Sequence, residues 1–196
     1  MSPRDASLFG VEVPTGFLYR EDFITSDEEA RLAEEIGRVQ FSTFEMRGVA
    51  ARRRVAFFGR SYDAGGDATP PLPVFLLPLR ARVAEWARLR PDEFLMALIN
   101  EYPPGAPIGW HRDAPQYGIV AGISLLSSCR MKFRPYARLS ARSSSGARRI
   151  ATHEITLERR SGYLMTGESR NAFEHHIPAV DTLRYSITFR TARSLH

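Results

Sequence analysis

The strongest chemical signal in the chain is the triplet His111-Arg112-Asp113. In extended backbone, residues two apart point to the same side. One imidazole and one carboxylate therefore face the same space from one short segment. A third donor far along the chain would complete a metal site, and Glu174-His175-His176-Ile177-Pro178 offers one. Two histidines and a carboxylate on one face of an ion, with the other positions open, suit non-haem Fe(II) oxygenase chemistry. His175 and His176 compete for the third place. The imidazoles must be neutral to bind, and the carboxylate brings one anionic charge. An isolated His-x-Asp is weak evidence, since most such triplets are surface or turn residues. The surrounding sequence supplies the context.

Arg184-Tyr185-Ser186-Ile187-Thr188-Phe189-Arg190 reads as a strand. Alternation puts Arg184, Ser186, Thr188 and Arg190 on one face and the three apolar or aromatic residues on the other. Two arginines aimed at an interior need an anionic partner, because an unpaired buried charge is expensive. A small dicarboxylate is such a partner, held through parallel hydrogen bonds. An edge strand with two solvated arginines is the plainer alternative. Asn100 and Tyr102 share a strand face too, and their polar ends could reach the same ligand.

These residues need a frame to hold them. Ser26 reads as a helix N-cap, followed by Asp27, Glu28 and Glu29 in the first turn, where acids suit the helix dipole. Ala30, Leu32, Ala33 and Ile36 have helical apolar spacing, and Gly37 is a plausible stop. Val74 to Leu89 reads as a second helix, with Pro78 marking a start or kink. Val11-Glu12-Val13 and Phe17-Leu18-Tyr19 are short extended pieces. From Phe94 onward the pattern is strands with turns between: 94–100, 118–126, 130–134, 155–157, 163–165 and 183–190. Residues 63–73 and 139–149 read as loops. Helices followed by regularly spaced strands predict an α+β, mainly β fold: a double-stranded β-helix, or jelly roll, with N-terminal buttressing helices.

Residues 39–63 interleave Phe41, Phe44, Phe57, Phe58 and Tyr62 with Arg47, Arg52, Arg53, Arg54 and Arg60. Aromatics among arginines can form a stacking, phosphate-holding surface. Two ordinary strands with aromatic inner and basic outer faces explain the pattern equally well.

With 196 residues, 43% of them hydrophobic, the chain suits one domain with a sizeable core. No apolar run reaches membrane-spanning length, and Met1-Ser2-Pro3-Arg4-Asp5 does not open a signal peptide. Cys129 is the only cysteine, so no intrachain disulfide forms, and a cytoplasmic monomer is the simple expectation. Net charge is +5, and of 27 basic residues all but Lys132 are arginine. Codon bias is the bland account of that arginine excess. The positive charge itself argues modestly for a polyanionic partner.

The strings Asn100-x-Tyr102-x-Pro104-Gly105, His111-x-Asp113, His175-x-Ile177-Pro178 and Arg184-Tyr185-x-x-Thr188-Phe189-Arg190 resemble the AlkB family of Fe(II)- and 2-oxoglutarate-dependent dioxygenases. The resemblance covers residues 94–191 in order and spacing. Residues 1–93 match only in layout, as N-terminal helices and a nucleotide-recognition region. It implies His111, Asp113 and His175 as Fe(II) ligands, with His175 preferred over His176 because it stands two residues before the aliphatic position at Ile177. It implies 2-oxoglutarate contacts from Asn100, Tyr102, Arg184, Ser186 and Arg190, with O2 as the other co-substrate. The implied reaction removes an N-linked alkyl group from a base as aldehyde, leaving succinate and CO2. The implied partner is alkylated DNA or RNA, with single strands preferred. Trp110, Phe57, Phe58 and Tyr62 are the candidate base platforms, and Arg52, Arg53 and Arg54 the candidate phosphate contacts. There are departures. Ser186 stands where the family often has Asn, Pro115 where the founding type has an acid, and Trp110 where smaller aliphatics are common. These touch substrate choice more than the oxidative chemistry. The same chemistry on a protein or small molecule, and a non-catalytic binding protein on the same fold, are the competing readings. The intact ligand set and both arginines argue against the last.

Overall fold

The computed structural model describes residues 12–46, 49–60, 69–136 and 152–193. In chain order the elements are β1 (Phe17–Arg20), α1 (Ser26–Gly37), β2 (Ser42–Met46), β3 (Val49–Gly59), α2 (Leu77–Ala87), β4 (Phe94–Tyr102), β5 (Ile108–His111), β6 (Tyr117–Leu125), β7 (Cys129–Pro135), β8 (His153–Leu157), β9 (Gly162–Met165), α3 (Gly167–Asn171), β10 (Phe173–Ile177) and β11 (Arg184–Ala192). A seven-stranded sheet runs β1-β9-β6-β11-β4-β3-β2, and a four-stranded sheet runs β5-β10-β7-β8. The pairings are antiparallel. This is the double-stranded β-helix that the strand spacing predicts, with helices on one side.

Two apolar layers hold it together. One lies between the large sheet and the helices: Leu32 and Ile36 of α1 and Leu79, Val83 and Ala84 of α2 meet Ala97, Ile99, Ile123, Tyr185, Ile187 and Phe189. The other lies between the sheets, where Tyr102, Val120 and Tyr163 meet Met131, Phe133, Leu157 and Ile177. Each large aliphatic or aromatic side chain fully buried here contributes roughly 1.5–3 kcal/mol. The alternation of β11 follows from its place between the layers. Odd-numbered residues face the helices and even-numbered residues face the inter-sheet space. Because β11 lies between β4 and β6, its arginines are interior, and the edge-strand alternative falls away.

The helix boundaries show local chemistry at work. Thr25, rather than Ser26, caps α1: its hydroxyl accepts from Glu28 N, and the Glu28 carboxylate accepts from Thr25 N. This capping box satisfies two otherwise unpaired donors. Residues Val74–Leu76 form a 3-10 turn before α2, and Pro78 sits in the first turn of that helix, where its missing N–H costs nothing. Glu29 is buried, accepting from Leu126 N just past the end of β6 and pairing with Arg159.

Three elements, β5, β10 and α3, have no counterpart among the strands and helices read from the sequence. Tyr62 and the expected loop at 139–149 lie outside the described residues, as does the 63–73 loop as far as residue 68.

Candidate active site

β5 and β10 run antiparallel, and His111 stands directly across from His175. Their rings are 4.2 Å apart, centroid to centroid. Asp113 follows just past the end of β5 and turns its carboxylate inward, 6% exposed. All three line a cavity of about 240 Å³ between the sheets. The Asp113 Oδ2 is 3.7 Å from His175 Nε2. On its other side Asp113 Oδ1 accepts from Arg190 Nε at 2.9 Å and Nη2 at 2.7 Å. His111 is only half-buried, and its Nδ1 is 2.8 Å from the Gly109 carbonyl.

His176 points elsewhere. One residue on from His175, it takes the opposite face of β10, stands opposite Lys132, and places Nδ1 2.7 Å from the Ile108 carbonyl. Its ring lies against Trp110. The choice between the two histidines is thus one of strand alternation.

The electrostatics suit a metal donor set. Burial holds His175 well below its usual range; the His111 ring adds to this, against the pull of Asp113. Burial likewise lowers His111, with Asp113 opposing. Burial of Asp113 works against its ionisation, yet Arg190 first, then His175, His111 and Arg170, keep its pKa below the ordinary carboxylate range. Two neutral imidazoles beside one ionised carboxylate are the protonation states a divalent ion requires. Among the described residues, no three His, Cys, Asp or Glu side chains stand as they are in an arrangement that could hold a metal ion. The three donors share the cavity without closing on one another.

Deeper in, Arg184 is fully buried. Its Nε donates to Ser124 Oγ at 3.0 Å, and its guanidinium lies 5.1 Å from the Tyr102 ring centre. Arg184 Nη1 has no hydrogen-bond partner, although it is cut off from solvent. An orphaned guanidinium N–H costs free energy, so this position calls for an acceptor. Antiparallel register puts Arg184 opposite Tyr102 and Ser186 opposite Asn100, making four polar side chains on one inner face. Gly105 closes the segment after Tyr102: its φ is +81°, and its N donates to the Val180 carbonyl. A side chain would strain that turn.

The aromatic and basic candidates separate. Phe57 lines the cavity. Phe58 turns the other way and packs with the helix-side core. Trp110 lies on the outer face of the small sheet, where Arg134 covers it at 4.4 Å. Arg52, Arg53 and Arg54 do not form one cationic face. Arg53 is buried and lines the cavity, donating from Nη1 to Asn100 Oδ1 at 2.8 Å. Arg54, on the opposite side of β3, binds Glu101, and Arg52 is exposed near Gly105. The period of two along β3 divides the triplet.

Three further residues shape the site. Tyr163 reaches in over Gly122, where any added Cβ would run into its ring. Tyr117 lines the wall below Arg190. Arg170 on α3 holds the Ala114 and Tyr117 carbonyls at 2.7 and 2.9 Å, pinning the turn that follows Asp113. Only the alternation Arg53-Val55-Phe57 carried a readable signal for Arg53. Arg170 had none, because its partners are 56 and 53 residues away in sequence. A second cleft, of about 610 Å³, opens beyond Tyr117 and contains none of the three donors.

The match to the family described as 2OG-Fe(II) oxygenase superfamily spans residues 22–190, nearly the whole chain. The chain belongs to that superfamily. Its fold and family make it a domain of the dioxygenase type. Among curated proteins it is 26% identical over 91% of its length to "Alkylated DNA repair protein ALKBH8 homolog" of Arabidopsis thaliana. It is 28% identical, again over 91% of its length, to "tRNA (carboxymethyluridine(34)-5-O)-methyltransferase ALKBH8" of Mus musculus. The chain spans 56% of the first relative and 27% of the second. These relatives support the AlkB branch that the motifs resemble. Among solved structures, OsALKBH1 superposes with a TM-score of 0.65 at 14% identity, covering 92% of this chain and 100% of that one. A Pseudomonas putida prolyl-4-hydroxylase superposes with a TM-score of 0.61, also at 14% identity, covering 91% and 93%. Both likenesses concern the fold. No helix among the described residues is long and apolar enough to cross a membrane.

Proposed function

We propose that the chain is an Fe(II)- and 2-oxoglutarate-dependent oxygenase that removes alkyl groups from nucleic-acid bases. His111, Asp113 and His175 hold the ion, and Asn100, Tyr102, Arg184, Ser186 and Arg190 seat the co-substrate. The observation that carries this reading is the orphaned Nη1 of Arg184 on the large sheet, in a molecule whose small sheet sets two neutral imidazoles beside an ionised carboxylate. Bound Fe(II), with 2-oxoglutarate and O2, supplies the oxidation that converts an N-alkyl carbon to a hydroxylated one. The product then releases aldehyde and free amine, beside succinate and CO2.

The residues of this chain do the positioning. Arg184 pairs with the distal carboxylate of the co-substrate, which removes the cost of its empty N–H. Arg190 holds Asp113 ionised and fixes which oxygen faces His175. A base must leave any stack to bring its alkyl carbon to a site this enclosed. Phe57 is the platform for it, flanked by Leu98, Met96 and Tyr117.

The likeness to ALKBH8 homologues over most of the chain supports a nucleic-acid substrate, DNA or RNA. The division of Arg52, Arg53 and Arg54 between two faces favours the second reading, a protein or small-molecule substrate for the same chemistry. Aldehyde release from methylated single-stranded DNA and RNA, measured beside a panel of methylated peptides, decides between them. Release from a nucleic acid supports the first reading. Release from peptides alone overturns it and leaves the iron chemistry in place.

A further inference from the structure

We infer that Arg53 is a positioning residue for the co-substrate, acting through Asn100. The inference rests on the reading that Asn100 contacts 2-oxoglutarate.

β3 pairs antiparallel with β4, with Val55 opposite Asn100 and Phe57 opposite Leu98. Residues 53, 55 and 57 therefore point into the inter-sheet space, on the face that carries Asn100 and Tyr102. Arg53 is 6% exposed there and lines the same cavity as the donor triad. Its Nη1 is 2.8 Å from Asn100 Oδ1, a buried contact between residues 47 apart in sequence.

A guanidinium has donors only, so the side-chain atom of Asn100 facing it must be the carbonyl oxygen. An amide has two ends. Fixing Oδ1 on Arg53 leaves the Nδ2 amide to donate into the cavity. The opposite rotamer would aim a carbonyl at a carboxylate and repel it. Asn100 stands directly across from Ser186, whose hydroxyl lines the same cavity. Ser186 is short, so the orientation of Asn100 carries much of the co-substrate contact on this face. Burial lowers the pKa of Arg53, with Tyr102 opposing and Arg190 adding to the fall. Arg53 thus belongs to the electrostatics of the site and not to a phosphate-binding surface.

The test compares wild type with Arg53→Met, Arg53→Lys, Asn100→Ala and the double variant Arg53→Met/Asn100→Ala. Two readouts are used: the 2-oxoglutarate dissociation constant, and the charge-transfer absorption of anaerobic Fe(II)·2-oxoglutarate. Thermal unfolding checks that each variant folds. Arg53→Met should weaken 2-oxoglutarate about tenfold or more and diminish the absorption band, the scale of losing a hydrogen bond to a charged group. Arg53→Lys, which can still donate to Oδ1, should recover part of both. The double variant should be no worse than Asn100→Ala alone, because Arg53 acts through Asn100. An unchanged dissociation constant in Arg53→Met, or additive losses in the double variant, overturns the inference. If Arg53→Met does not fold, Arg53→Lys decides: an affinity weaker than wild type but no weaker than that of Asn100→Ala supports the inference, and wild-type affinity, or a loss larger than that of Asn100→Ala, overturns it. If Asn100→Ala itself binds 2-oxoglutarate normally, the underlying assignment of Asn100 fails first, and the result separates the two.

Discussion

Arg190 grips Asp113 from one side, with Nε and Nη2 both donating to the same oxygen, Oδ1, at 2.9 and 2.7 Å. The other oxygen, Oδ2, is left facing His175 at 3.7 Å. One arginine thereby settles both the charge of the carboxylate and the oxygen it presents. The two side chains are almost fully buried, so removing either one would leave the other without its hydrogen-bonded counter-charge.

Alanine at His111, Asp113 or His175 should each abolish Fe(II)-dependent turnover, since two ligands cannot hold the ion in an open facial site. His176→Ala should keep much of the activity, because His176 faces Trp110 and the Ile108 carbonyl. Succinate formation in the four variants is the measurement. An inactive His176→Ala with an active His175→Ala would reverse the assignment.

Arg184→Ala should sharply raise the 2-oxoglutarate requirement. Losing a charge-assisted contact in a closed site costs on the order of 2–5 kcal/mol, much of it from the carboxylate left unpaired. Arg184→Lys should rescue only in part, because an ammonium does not reproduce the planar fork. Titrating 2-oxoglutarate against turnover checks this, and an unchanged affinity in Arg184→Ala rules out the clamp.

Phe57 and Trp110 should behave differently. Phe57→Ala removes an aromatic surface from the cavity wall, and a stacked base is worth roughly 1–3 kcal/mol. Its kcat/KM for substrate should fall by that amount, while substrate-free 2-oxoglutarate consumption persists. Trp110→Ala changes only the outer face of the small sheet and should leave kcat/KM near wild type. Equal losses in both variants would contradict the placement.

Glu28 carries a pH dependence. Its carboxylate is drawn down from 4.5 to about 2, chiefly by the hydrogen bond from Arg82 and then by that from the Thr25 backbone. A depressed carboxylate stabilises the fold above its unfolded pKa, and the gain is lost as pH falls through the folded value. Wild type should therefore exceed Glu28→Gln in Tm at neutral pH, with the gap closing between about pH 4.5 and 2. A gap that stays constant across that range would remove Glu28 from the account.

Much of the candidate site was legible because its parts are local. His111-x-Asp113 and Arg184-x5-Arg190 need only the two-residue alternation of extended chain, and that rule holds wherever the strand is placed. The helix at 26–37 was equally local, although the capping residue proved to be Thr25, a one-residue error typical of helix ends. The run Arg52-Arg53-Arg54 misled for the same local reason. Read as a block it is a charge cluster, but pairing with β4 sends its middle member inward and its neighbours out.

The sequence alone supplied the candidate donors, the alternation that puts Arg184 and Arg190 on one face, and the jelly-roll class, since each follows from residue type and short-range periodicity. The tertiary structure decided what depends on which strands meet. It set His175, and not His176, across from His111, and it aimed Arg190 at Asp113 from a strand 77 residues away. It also brought Arg170 to the carbonyls that follow Asp113, kept Phe57 in the cavity, and turned Phe58 and Trp110 away from it. These are contacts between distant segments. Their free energy comes from burial that exists only once the sheets have stacked, so no local pattern records them.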